Sequence, residues 1–550
     1  MDNIDNSNNI KQEENDQQNA SGNMYSYRDN NNQIMQGGEA IRRSIGEGNP
    51  NLNNIQNNFG SGYDKNYIYN GNVDIQYSQN IYYNSNNNSF SWETYFIIGF
   101  IEVLIIALLA IFFEKKIKYN NTIENNPSNY GLLRDMNIMV FIGFGMLHSI
   151  LRRNSWISIS INILLIAISV QLSLFFNYLW KRAFLGRYDE ENFDLIYLMK
   201  AIFISSSVLI TSGCVLGKIS IIQYIILAVS ETIFSSLNYQ LCEVKLKVID
   251  NGGVLYIHTF GSIFGIAISI VLFCSTKIKQ SIQKYNYLNK SNYFSNLTSF
   301  FGMIILFCYF PSFNSALVGK EQFHMSQRGR YNTYFSLCGS VMGAFITSGF
   351  FNNGRFIFEE LLFGSISGAI IISGCCTICL SFWGSIIIGT LGGTISVIFL
   401  SKIKPYFVKW GLKDTCNIII IHGIIGILGS FITPIIITAF KKKEEVKKYL
   451  DSHGKVSAQI GAILITMVIS FIGGIVTGYL MKISLCGKIT QYFTDAEFFK
   501  EEEKNIFDYI EPNISFNIDI NNPSLFKGEF QSYSNQRQIG QDLRGSQPSY

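Results

Sequence analysis

Between residues 92 and 482 the chain is a succession of helix-length apolar runs with only short polar breaks, and this limits its fold more than any other feature. About 20 apolar residues cross the hydrocarbon core as a helix. In lipid only helices and closed barrels satisfy their own backbone polar groups. The runs fall at 94 to 113, 136 to 151, 156 to 180, 195 to 216, 219 to 238, 252 to 274, 297 to 318, 331 to 351, 358 to 378, 382 to 400, 416 to 439 and 457 to 482, twelve candidate spans. They predict an all-α polytopic membrane domain of eleven or twelve transmembrane helices over 92–482.

The flanks are of another kind. Residues 1–91 are dominated by Asn with Gln, Ser, Gly and Asp and hold no sustained apolar period, so they read as a disordered N-terminal tail. Residues 483–550 are polar, with an acidic cluster at Glu497, Glu501, Glu502 and Glu503, and read as a flexible cytoplasmic tail with a short helix under the membrane domain. No cleavable leader pattern opens the chain, so the first run is expected to act as an uncleaved anchor, with the N-terminus cytoplasmic. An even number of spans puts both ends on one side. The basic loops do not settle which, because 276 to 295 and 401 to 414 are as basic as 114 to 118 and 441 to 448, which must lie opposite. Asn120 begins an Asn-Asn-Thr acceptor triplet, and glycosylation there would mark its loop as extracellular.

A net charge of +4 over 550 residues, with no basic stripe interleaved with aromatics, argues against nucleic acid as a partner. The ten cysteines lie mostly in apolar runs, and Cys375, Cys376 and Cys379 lack the paired spacing of a zinc site, so no metal or cofactor is expected. No nucleophile motif or phosphate loop supports an enzyme.

Two residues carry the chemistry. His258 and His422 each sit inside an apolar run, with an Asp eight residues upstream (Asp250, Asp414) and a Gly seven downstream (Gly265, Gly429). An ionisable group in such a run is costly, and normally faces a bundle interior or pore with a partner there. Eight residues place each Asp roughly 12 Å from its His, at the start of the helix, with the His near mid-membrane. Each Gly lies on nearly the same stripe as its His and leaves room for close packing or a lumen. A single His in an apolar helix is more often a core residue satisfied by a carbonyl. The repeated spacing points instead to two related halves sharing one site. Asp250 and Asp414 could both be N-caps, the reading favoured for Asp414. The glycines of Trp383-Gly-Ser-Ile-Ile-Ile-Gly-Thr-Leu-Gly-Gly393 read as close helix contacts.

Several strings together resemble the Rhesus (Rh) glycoproteins, a branch of the ammonium transporter superfamily. They are Met139-Val-Phe-Ile-Gly-Phe-Gly-Met146, Gly213-Cys-Val-Leu-Gly-Lys218, Asp250-Asn-Gly-Gly-Val-Leu-Tyr-Ile-His-Thr-Phe-Gly261, Pro311-Ser-Phe-Asn-Ser-Ala316, Asn332-Thr-Tyr-Phe-Ser-Leu337, and Asp414-Thr-Cys416 followed by His422-Gly423. The order holds from about 92 to 482 and covers neither tail. The resemblance implies the ammonium transporter fold with inverted five-helix repeats, a homotrimer with one narrow pore per subunit, and the plasma membrane or an endomembrane such as a contractile vacuole. It makes His258 and His422 the paired pore histidines, Phe203 and Phe313 the stacked aromatics closing the outer mouth, and Asp250 a buried acid bracing the neighbouring helix and the mouth. Ammonium would lose its proton at the mouth, pass as ammonia and be reprotonated inside, with carbon dioxide as a second permeant.

The departures are specific. Asn238 is followed by Tyr239 where the family often has a vestibule Glu, Ile202 replaces an acid common before the gate phenylalanine, and Phe363 lies near a usual Asn, which implies a less polar vestibule and low affinity. Against a conducting channel stand a non-conducting scaffold or ammonium sensor, which retention of both histidines disfavours, and an ion-coupled transporter of another substrate. The latter needs a mid-membrane acid or unwound break, and the sequence offers no convincing acid there.

Overall fold

The computed structural model describes most of residues 92–483, together with Asp495 and Phe499. Residues 1–91, 119–126, 274–290 and the rest of the C-terminal tail, with short stretches at 114–116, 152–153, 187–190, 193, 319–322, 380, 411, 413 and 454, lie outside the described residues. The N-terminal tail, the acidic cluster and Asn120 therefore fall outside them.

The described chain is nearly all helix: α1 (Trp92–Phe113), α2 (Asn129–Leu147), α3 (Ser155–Leu185), α4 (Leu195–Val215), α5 (Ile221–Leu246), α6 (Val254–Phe273), α7 (Tyr293–Phe313), α8 (Phe323–Phe351), α9 (Phe358–Ile372), α10 (Phe382–Phe407), α11 (Ile419–Phe440), the short α12 (Glu444–Ser452) and α13 (Val456–Leu480). A two-residue parallel pairing joins Ile117–Lys118 to Glu191–Asn192. The helix starts follow local chemistry. Ser220 and Gln223 form a reciprocal capping box on α5, Asn292 and Ser295 do the same on α7, and the Asp194 carboxylate takes the Tyr197 N–H at 2.9 Å on α4. Gly186, at φ +63°, ends α3 in the left-handed conformation that favours glycine. The first turn of α3 is capped from the far end of the chain, since Asp495 accepts from the N–H groups of Trp156 and Ile157 at 3.1 and 2.8 Å. At that residue the C-terminal segment is docked on the membrane domain.

Among the described residues eleven helices are long and apolar enough to cross a membrane. The ninth run, 358 to 378, gives only the 15-residue α9, because the chain turns after Ile372. Close contacts show how α9 nevertheless packs with its neighbours. On α8 and α10, Gly339 abuts Ile386 and Thr390, Gly343 abuts Thr390 and Thr394, and Gly393 abuts Ser340, so the two helices are parallel. On α9, Gly364 abuts Ala344 and Gly368 abuts Ser340 and Ser336, so α9 runs back between them. Hydropathy counts the residues beyond Ile372 as helix, although the chain turns there and side chains close the turn. Asn332 donates to the carbonyls of Cys376 and Cys379, both at 2.7 Å, and Asn314 to that of Ala369 at 3.0 Å.

The same reading orients the histidine helices. Val254 meets Gly429, His258 and Thr259 meet Gly426, and Ser262 meets Gly423, so α6 and α11 cross antiparallel with the histidines at the crossing. Large exposed side chains on the outside, such as Phe96, Phe350 and Trp383, are apolar, as on a surface that lipid covers. This is a multi-pass membrane protein.

A Cβ at Gly393 would strike the Ser340 carbonyl, whereas one at Gly461 meets nothing within 4 Å. Thermal unfolding of purified protein is expected to show Gly393→Val losing about 3 kcal/mol through overpacking, with Gly461→Ala at or slightly above wild type.

Candidate functional site

His258 and His422 meet. Their Nδ1 atoms are 3.0 Å apart and their rings stack with centroids at 5.0 Å and planes at 20°, both buried. Each histidine lies in a π-helical turn that opens its helix, Val254–Thr259 in α6 and Ile419–Ile424 in α11. The His258 N–H reaches back five residues to the Gly253 carbonyl at 3.1 Å. Such turns widen the helix locally and are common where a side chain must be aimed. Gly253, at φ +83°, lets the chain swing into the turn, and a Cβ there would also press on Phe203.

Two neutral imidazoles carry one N–H each. One hydrogen is used between the Nδ1 atoms, so the other sits on an Nε2. The pair therefore offers one Nε2 donor and one Nε2 acceptor, and the Nε2 of His258 is buried without a hydrogen-bond partner.

Asp250 and Asp414 hold the two helix starts. Asp250 accepts from the N–H groups of Val254, Leu255 and Tyr256 at 2.7, 2.8 and 3.0 Å. Asp414 accepts from that of Ile419 at 2.7 Å. The bonds of Asp250 go to the first turn of its own helix, where the resemblance implied a brace on the neighbouring one. Burial pushes the Asp250 carboxyl up to about 7, against those N–H groups, which favour the charged form. Burial likewise lifts Asp414 to about 6, opposed by the Ile419 N–H and Lys218. Gly265 and Gly429 serve close packing, the first against Cys214 and Thr211, the second against Ile371 and Val254.

On the Asp250 side of the pair, Phe203 and Phe313 stack with centroids at 5.4 Å and planes at 21°, both buried. Phe310 joins them to the imidazoles, 6.5 Å from Phe313 and 6.3 Å from His258. The sequence reading passed over it, although it stands one turn before Phe313 on the same helix face. Tyr239 and Tyr256 pack edge-on against Phe203 at 6.4 and 6.5 Å. Tyr239, Ile202 and Phe363, the three departures from the resemblance, are all buried.

Other polar groups went unforeseen. Glu231 lies fully buried within α5, a membrane-depth acid that the sequence reading did not credit. It accepts from Thr211 Oγ1 at 2.9 Å, and that hydroxyl also reaches the Gly261 carbonyl at 2.7 Å, so the acid ties α5 to α4 and α6. His148 lies on the Asp414 side, its Nε2 buried without a hydrogen-bond partner and its ring against Gly213, which also meets Ile418, one turn before His422. Burial pushes the His148 imidazole down to about 4. Among the described residues no group of His, Cys, Asp and Glu could hold a metal ion.

The profile of the Ammonium Transporter Family matches residues 95–494. The ammonium transporter Rh type B of Danio rerio is 30% identical over 442 residues, 73% of this chain and 92% of that protein. The Rh type C protein of Pan troglodytes is 28% identical over 462 residues, 78% of this chain and 94% of its own. Among solved structures, Nitrosomonas europaea Rh50 aligns with a TM-score of 0.58 and 24% identity over 76% of this chain and 98% of that one. Candida albicans Mep2 aligns at 0.54 and 16% identity over 67% and 86%.

Asp250→Ala is expected to leave buried N–H groups without an acceptor and to cost about 3 kcal/mol in a thermal melt. Asp250→Asn, which keeps one acceptor oxygen, loses less.

Proposed function

Because the chain belongs to the ammonium transporter family, whose members are transporters and not enzymes, we propose that it conducts ammonia through a passage lined by His258 and His422. The observation that carries this reading is the 3.0 Å contact between two buried imidazoles on antiparallel helices. A structural histidine is satisfied by one carbonyl. A pair that satisfies itself through Nδ1 leaves a donor and an acceptor over, and ammonia can use both.

Selection then acts on charge. A bare cation in a dry, apolar constriction is heavily penalised, whereas neutral ammonia gives up only a few hydrogen bonds. Ammonium sheds its proton at the mouth, ammonia passes Phe203, Phe313 and Phe310, is held in turn by the two Nε2 positions, and takes up a proton on the far side. The net transfer is passive and electroneutral. The same constriction would pass carbon dioxide, which is also small and uncharged. In this reading the protein works as a homotrimer in the plasma membrane, its exposed apolar belt shared between lipid and neighbouring subunits.

Proteoliposomes loaded with a pH dye and mixed with ammonium chloride test it. Wild type is expected to alkalinise the lumen faster than empty vesicles, and equal rates would remove the proposal. Loss of either ring, in His258→Ala or His422→Ala, is expected to slow the response about tenfold. The double variant should be no slower than the singles, since the rings act as a unit.

A further inference from the structure

A cavity of about 250 Å3 reaches to one helical turn before Phe203 on α4, lined by Asn177, Lys181, Asp194, Lys200, Gln240 and Glu243 among others. Tyr239 connects the two: its ring packs on Phe203 at 6.4 Å, and it stands one helical turn before Glu243. Lys200 stands three residues before Phe203 on α4, and its Nζ pairs with Glu243 Oε1 at 2.9 Å. The two side chains are 31% and 37% exposed, so solutes reach them. The cavity carries two lysines and two carboxylates, and the Asp194 carboxylate is already bound to the Tyr197 N–H. Its charges cancel, and an arriving cation feels little net pull.

The end of a lysine is itself a primary ammonium, with the charge and donors of the ammonium ion on a tether. We propose that Lys200 is a built-in competitor for incoming ammonium at Glu243, so that capture at this mouth requires displacing the lysine from the carboxylate. The proposal rests on ammonium being the cargo, and it makes Lys200 a determinant of affinity where Phe203, His258 and His422 determine what passes. A weakly held, partly exposed pair suits such an exchange, because an exposed ion pair contributes little to stability and is easily replaced by an equivalent one.

The test is flux in proteoliposomes at fixed pH and ionic strength, titrated with ammonium chloride. Lys200→Gln frees the carboxylate and is expected to lower the half-saturating concentration about fivefold, the scale of one exposed pair. That is a gain, which misfolding cannot produce. Glu243→Gln is expected to raise the half-saturating concentration, and adding Lys200→Gln to it should change nothing further. Lys200→Arg keeps the charge and should shift less than Lys200→Gln, and added salt should shrink the Lys200→Gln effect by screening. A half-saturating concentration in Lys200→Gln that is unchanged or higher, or an equal drop in the Glu243→Gln background, overturns the competitor while leaving ammonia conduction intact. Wild-type vesicles no faster than empty ones overturn both.

Discussion

Within a bilayer a backbone N–H or C=O that loses its helical partner has no water to turn to. Several interruptions among the described residues are met by a named side chain or carbonyl. The start of α6 is held by Asp250 and that of α11 by Asp414. The turn after α9 is held by Asn332, and the Gly252 N–H finds the Ser373 carbonyl at 3.1 Å. These interruptions are where the helices change course, and the histidines stand one turn inside two of them. The site exists because the chain can break its helices while finding acceptors for backbone N–H groups freed at the breaks.

Small residues convert that freedom into position. The crossing of α6 and α11 depends on Gly426, where a Cβ would press on the Thr259 hydroxyl and His258 Cβ, and on Gly429, where it would strike the Ile371 carbonyl. Close approach brings the rings within hydrogen-bond reach, and larger residues there would hold the helices, and so the imidazoles, apart. Packing in a membrane has little hydrophobic drive between helices, so contacts between bare backbones carry much of it. The ladder of glycines on α8 and α10 does the same for the scaffold around the site.

Much of this was legible in the residues, and the reasons differ by element. The spans could be read because lipid demands long apolar runs. The convergence of His258 and His422 could be read because a repeated Asp–His–Gly spacing is hard to place in unrelated surroundings. The π-helical turns could not, since Ile418 to Ile421 is an aliphatic run that suits an ordinary helix equally well. The shortness of α9 was hidden because hydropathy scores the turn at Cys375 and Cys376 like helix, although side chains close it. Glu231 and His148 went uncredited because a lone polar residue in an apolar run does not announce its surroundings, and the residues they meet, Thr211 and Gly213, are remote in sequence. The pairing of Lys200 with Glu243 spans two helices, and no local pattern encodes it.

The antiparallel crossing has an electrostatic consequence. Each helix begins about one turn from its own ring, α6 on the Asp250 side and α11 on the Asp414 side, and runs past the pair, so the positive ends of two macrodipoles bracket the imidazoles, each equivalent to roughly half an elementary charge. Asp250 and Asp414 temper those ends without reaching the rings. Backbone polarity alone thus raises the cost of any positive charge between the histidines, from whichever face of the membrane it arrives.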